Sequence, residues 1–413
     1  MVYNKSIYIL AILLFCASQL RSESLEVGNH KQHQSLKSAI EVANNGDTIL
    51  VEPGLYLESG IIVDKSLVII GTDYPIIDGS NLDELFVITA DCVVIEGMQL
   101  QNSGSSYTKD LAGIRLVNVR NVTINKNRLY NCFFGIYLMK SSDCTISENQ
   151  VLGNRDIEIS AGNAIHLWYC QNITVFNNHL TGHRDGIYLE FVDQSDISFN
   201  ISKNNLRYGL HFMFSNNDRY TENTFENNGS GVAVMFSKNI TMNKNRFNLN
   251  WGSASYGLLL KEIYDGEIIG NEFNKNSIGI FAESANRLKI SNNDFKNNGW
   301  ALKILGSCMD NTFSGNNFFT NTFDLTTNSA KDHNSYAGNY WSSYTGYDLD
   351  KNGFGDIPHR PVTMYSYLVG RVDVSILLLR SLFIDILNFT EKVTPMFVPK
   401  SLVDPQPLMK PRA

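Results

Sequence analysis

Apolar residues recur along most of the chain in a short alternating element: GIRL (113–116), GIYL (135–138), AIHL (164–167), GIYL (186–189), GLHF (209–212), GVAV (231–234), GLLL (257–260), GIFA (279–282) and ALKI (301–304). Successive elements start 22, 29, 22, 23, 22, 26, 22 and 22 residues apart. Between them runs a second element: NVTINKNRL (121–129), NITVFNNHL (172–180), NITMNKNRF (239–247) and RLKISNNDF (287–295). Alternation with a period of two is the signature of a strand with one buried face. A repeat of this length is one coil, which buries that face only by stacking on the next. The pattern therefore predicts an all-β protein, a right-handed parallel β-helix of roughly 22-residue coils stacked about 4.8 Å apart.

Asn127, Asn149, Asn178, Asn223, Asn245, Asn271, Asn293 and Asn316 share one position of the repeat. Stacked at a corner, in the left-handed conformation that Asn tolerates, their amides are expected to bond to backbone and to one another. An amphipathic stretch over about Ser35–Ala43 suits a helical plug for the first coil, since an uncovered β-helix end is an open sheet edge. The first residues carry Lys5 before an apolar run from Ile7 to Ala17, the layout of an export signal, with cleavage between about Ser18 and Ser24. Phe15 is a poor neighbour for a lipoprotein cysteine at Cys16. The expected organisation is a signal peptide over 1–22, the β-helix over 23–336, and a C-terminal cap and docking segment over 337–413.

Composition narrows the chemistry. With 413 residues, 18% of them charged and a net charge of −7, the chain is a poor match for nucleic acid. The five cysteines after the leader, at irregular spacing, form neither a disulfide framework nor a CxxC metal site.

In each GIxL element the x residue and the residue two further on share the outer face. There the two columns bring Met139, His166, His211, Met213 and Met235 together. Outward placement implies that these side chains carry no core packing. His211 and Met213 lie two apart on one strand, and Met235 is expected one coil above Met213. Thioether plus imidazole suits a soft ion such as Cu(I), in transient contact. Contact with a partner protein is the other reading of the stripe, and a covered surface without function is the third. Polysaccharide binding or cleavage is the alternative from another class. Outward acids do not cluster for it: Asp185 and Asp193 lie beside the stripe, and Asp156 and Glu158 sit in the longest insertion. Arg184 and Arg207 flank coils, and nothing joins them to acids at the spacing that such chemistry needs.

The stretch GNYWSSYTGYDLDKNGFGDIPHRPV (338–362) places Asp348, Asp350, Asn352 and Asp356 as in the start of a calcium loop. His359 stands where the closing bidentate acid belongs, so a structural turn capping the solenoid with Tyr340, Trp341 and Tyr344 is weighed beside Ca²⁺ binding. Together with the tail, which contains LLLRS, FIDIL and the terminal LVDPQPLMKP, this stretch resembles the NosD family. The resemblance covers nearly all of the chain beyond the leader; His359 departs from the family theme, which has Tyr after Pro.

The resemblance implies a periplasmic, non-enzymatic β-helix protein, peripheral to the inner membrane. It implies work with the permease and ATPase of an ABC transporter and with a copper-chaperone lipoprotein. These would supply or install copper, or sulfur, in the nitrous oxide reductase apo-protein, with no tightly bound cofactor. In the tail, Ser381, Asp385, Asn388 and Lys392 form a polar helical strip, while Ile376, Leu379, Phe383 and Leu387 face elsewhere. Those four are expected to dock on the permease, folding back on the β-helix being the alternative.

Overall fold

The computed structural model describes residues 23–106, 108–154, 161–329, 331–370, 372–393 and 402–412. The expected export signal and Cys16 lie outside the described residues, as do Asp156 and Glu158. Every coil lays down three short strands, and these stack into parallel sheets of 14, 13 and 12 strands. The protein is a parallel β-helix, and the GIxL elements form the 12-stranded sheet, in register from coil to coil: Ile187 beside Leu210, Tyr188 beside His211, Glu190 beside Met213.

Alternation sends one set of side chains inward, where Ile187, Leu189, Leu210 and Phe212 are fully buried. At the lower end, helix α1 (Leu36–Val42) begins at Ser35, whose side chain accepts the Ser38 N–H. It turns Leu36, Ala39 and Ile40 onto the first coil. Towards the upper end the core becomes a file of rings ending in Trp341, stacked on Phe318 at 4.1 Å between centroids.

The asparagine column is longer than expected, since Asn200 and Asn339 belong to it. In a typical rung the Asn223 backbone N–H and Nδ2 both donate to Asn245 Oδ1, at 3.0 Å each, while Nδ2 also donates to Ile197 O. The left-handed residue is not the asparagine itself but the one before it: Lys126, Glu148, Phe199, Glu222 and Lys244 have φ from 51° to 57°. The corner turns on that outward residue, which leaves the asparagine pointing inward to satisfy buried backbone.

The column ends on Asp404, a fully buried residue 65 positions further along the chain. Its carboxylate accepts from the backbone N–H and Nδ2 of Asn339, both at 3.0 Å, from Trp341 Nε1 at 3.1 Å and from the Gly338 N–H. The last described residues are therefore part of the β-helix cap, strapped back by backbone bonds between Asp404 and His359 and by Leu408 N–H to Asn339 O. Arg412 and Asn317 close the strap reciprocally.

A further buried acid lies against the core. Asp218 is fully buried, accepting the Ser195 N–H at 2.8 Å, with the Tyr220 hydroxyl at 3.4 Å. Burial, with Asp193 nearby, pushes its carboxyl up from 3.8 to about 8. The folded state thus holds a proton that the unfolded chain releases near pH 4. Its stabilising contribution is complete below that pH and is lost as pH rises through about 8, each pH unit between the two values being worth about 1.4 kcal/mol. Asp218→Asn keeps the shape and cannot ionise. Its urea midpoint is expected to exceed that of the parent at about pH 9 and to coincide with it near pH 4. A parallel pH dependence of the two proteins would contradict the buried-acid assignment.

Candidate functional site

The outward face of the 12-stranded sheet carries the stripe anticipated from the repeat, but it is not uniformly exposed. His211 is 3% exposed, which corrects the expectation that it carries no packing. The rings of Tyr188 and Tyr208 each stand 4.9 Å from its imidazole and cover it. Below it the column alternates tyrosine and histidine: Tyr137 to His166 at 4.6 Å, then His166 to Tyr188 at 4.8 Å. Stacking at the coil repeat makes this a built layer over the sheet rather than a solvated surface.

Charge is buried with it. His211 Nδ1 lies 4.0 Å from the Asp185 carboxylate, and Arg184 Nε lies 3.5 Å from the same oxygen. Arg184 is thus paired with an acid, its sequence neighbour at the entry to one strand. Burial, aided by the positive charges of Arg207 and Arg184, pushes His211 down to about 3. Burial and Arg184 push His166 to about 3 as well. Both imidazoles are therefore neutral at neutral pH, the form in which histidine ligates metals. Tyr188 rises to about 12 through burial and the neighbouring Glu190, so it stays a phenol.

The thioethers form the adjoining column. Met213 and Met235 are partners in register on neighbouring strands and both are half-buried. The Tyr188 hydroxyl lies 3.9 Å from the Met213 sulfur. Met139 is elsewhere: it packs with Trp168 and Phe133 against a separate apolar cluster of Ala112, Phe134 and Tyr137. The structure thus places Tyr188 beside both His211 and Met213, with Met235 in register one coil above Met213. His166 lies two coils below His211, and Met139 one coil further down in the neighbouring column. Among the described residues no three His, Cys, Asp or Glu side chains gather as a metal cluster.

A feature missed in the sequence adjoins the stripe. Tyr169, Phe191, Phe214 and Phe236 follow the outward column directly and stack face to face. Their spacing of 22, 23 and 22 residues was the available signal.

In the DLDKNGFGD loop the acids accept the loop's own backbone. Asp348 accepts the N–H groups of Asn352 and Gly353, Asp350 accepts that of Asn352, and Asp356 accepts that of Leu349. This is the bonding of a tight acidic turn. His359 packs its ring 5.2 Å from that of Trp341, inside the cap.

The tail residues divide. Ile376 and Leu379 lie in and just after a 3-10 turn over Asp373–Leu378, and Phe383 on helix α3 (Leu382–Val393) is exposed; helix α2 (Met364–Val369) precedes them. Leu387 packs instead with Ile384 against Phe323, Tyr365 and Val369, so the segment also folds back on the β-helix. No described helix is long and apolar enough to cross a membrane.

A parallel β-helix with a histidine–thioether stripe beside an exposed aromatic file is, by class, a repeat solenoid with one long continuous side-chain face. The chain belongs to the NosD family, described as "Periplasmic copper-binding protein (NosD)", whose model matches residues 40–198 and 153–346. It is 27% identical over 352 residues to a "Probable ABC transporter binding protein NosD" of Stutzerimonas stutzeri, covering 80% of this chain and 79% of that one. A protein of the same name in Pseudomonas aeruginosa is 27% identical over 353 residues, covering 81% and 82%. Among solved structures, the catalytic unit of a GH87 alpha-1,3-glucanase from Streptomyces thermodiastaticus superposes with a TM-score of 0.61 at 12% identity, over 79% of this chain and 70% of that one. At that identity the likeness concerns the fold alone.

Proposed function

We propose that the protein is a periplasmic accessory protein that works with an ABC transporter in maturing the copper sites of nitrous oxide reductase. The observation that carries the copper part is the pair Met213 and Met235, in register beside the neutral imidazole of His211. Thioether and imidazole form a soft donor set that holds Cu(I) and releases it to a stronger site. In this reading the stripe is a place of transient contact with copper or with its carrier, and the exposed apolar tail meets the permease. Family membership and the names of the two relatives support the transporter association.

Met213→Leu with Met235→Leu removes both sulfurs while nearly conserving volume, a change that half-buried positions tolerate at a cost below about 1.5 kcal/mol. The doubly substituted protein is expected to keep its thermal midpoint. In cells it is expected to lower the copper content of the reductase several-fold. Normal copper content in the presence of this variant would remove the stripe from the pathway.

A further inference from the structure

Between the 14- and 13-stranded sheets, on a corner away from the histidine–methionine stripe, lies a groove of about 440 Å³. It opens where the corner loses its side chains. Lower coils turn there through Lys126, Glu148, Phe199, Glu222 and Lys244, all exposed and left-handed. Gly270 and Gly315 make the same turn at φ of 66° and 65°. A Cβ at Gly270 would meet no atom nearer than 3.7 Å, so the space over it is open. Over Gly315 lies the guanidinium of Arg412, with Nη1 2.8 Å from where a Cβ would stand.

Three cations line the groove, Lys244 and Arg246 at its lower end and Arg412 at its upper end, and none has an ion pair among the described residues. Two acids stand between them. Asp294 is already taken by Lys296, at 2.9 Å, and by the Asn317 amide, which leaves Glu272 against three cations. Arg246, Glu272, Asp294 and Asn317 are partners in register on successive strands. Three strand spacings separate the two ends, about 14 Å. The upper end already recognises a peptide. Asn317 Oδ1 accepts the Arg412 backbone N–H at 3.0 Å, and its Nδ2 donates to the Arg412 carbonyl at 3.1 Å. Leu408 N–H is held one coil higher, by Asn339 O, so the strap descends the corner on the track that the groove continues.

Spacing and lining select the occupant. Cations about 14 Å apart cannot meet on one phosphate or one carboxylate. None of the lining residues is aromatic, so a sugar ring finds no apolar platform. An extended peptide, rising about 3.3 Å per residue, spans the distance in about four residues. We propose that the groove binds an extended acidic segment of a partner protein. Its main chain continues the track of the strap, with Glu272 free to accept a backbone N–H. Its carboxylates, about four residues apart, pair with Lys244 and Arg246 below and with Arg412 above, in the charge-assisted bonds that guanidinium forms best. No residue of the histidine–methionine stripe lines the groove, so this inference stands apart from the copper reading.

The test uses the exported chain and a fluorescent octaglutamate peptide at low ionic strength, followed by anisotropy, with octaserine and an oligogalacturonate of equal charge as competitors. Lys244→Gln with Arg246→Gln changes two exposed side chains and is expected to keep the thermal midpoint while weakening octaglutamate binding at least tenfold. Gly270→Asn leaves the charge as it is and places a side chain in the groove. The neighbouring coil already makes this turn with Asn292, so the variant is expected to fold and to bind several-fold more weakly. A diffuse attraction between opposite charges would not register that change. Absence of octaglutamate binding, equal affinity of the parent and the Lys244→Gln, Arg246→Gln protein, or parental affinity in Gly270→Asn would each overturn the proposal. So would tighter binding of the oligogalacturonate, which would make the groove a glycan site.

Discussion

Asp404→Ala is expected to lower the stability of the β-helix by about 3–5 kcal/mol, because it leaves buried donors without an acceptor. The Asn339 backbone N–H and Nδ2 and the Trp341 indole N–H all end on this carboxylate. Each lies in the last coil, with no further coil above to supply an asparagine oxygen. Along the column every rung hands the same two donors to the next amide oxygen, so the top rung needs an acceptor from outside the repeat. A carboxylate has the lone pairs for all three donors and for the Gly338 N–H besides. Asp404→Asn keeps one oxygen acceptor and replaces the other with a donor, so it is expected to restore less than half of the loss. Urea denaturation of parent, Asp404→Ala and Asp404→Asn measures the difference. Equal midpoints for all three would mean that water satisfies the top rung unaided.

This terminal acceptor was not legible in the sequence, whereas the column it closes was. The asparagines repeat at the coil period, so one observation at Asn127 extends to Asn316. Asp404 stands outside the repeat, beyond a helical excursion, and nothing local ties it to Asn339. The burial of His211 escaped for a related reason. Alternation along a strand assigns a residue to a side of the sheet, not to solvent, and the rings of Tyr188 and Tyr208 cover the outer side here. The plug helix was readable because its N-cap serine and its apolar spacing are both local. The aromatic ladder lay one residue beyond the alternating pattern, at a turn where side-chain identity is free. Only a comparison of equivalent turns across coils reveals it.

Charging the exposed apolar surface of the C-terminal excursion is expected to abolish association with the transporter while leaving the fold intact. Leu377, Leu382 and Phe389 are each at least 70% exposed on the 3-10 turn and on α3. An apolar patch of this kind on an otherwise polar protein marks a surface that a partner covers. The excursion is held from beneath by Ile384 and Leu387 against Phe323 and Tyr365, and the chain beyond it returns to the cap at Asp404. The described part of the excursion is therefore fastened from beneath, with its outer side turned away from the solenoid. A truncation at Val374 would not test docking cleanly, since it also removes Asp404 and would destabilise the cap. Leu377→Glu, Leu382→Glu and Phe389→Glu leave these contacts in place, and surface changes of this sort shift stability by no more than about 0.5 kcal/mol each. The expected result is an unchanged thermal midpoint and loss of co-purification with the permease from detergent-solubilised membranes. Three carboxylates forced into a desolvated apolar contact would be left buried and unpaired, so the loss should be nearly complete. Recovery of the variant with the permease at the parent's yield would show that this face is not the one that meets the transporter.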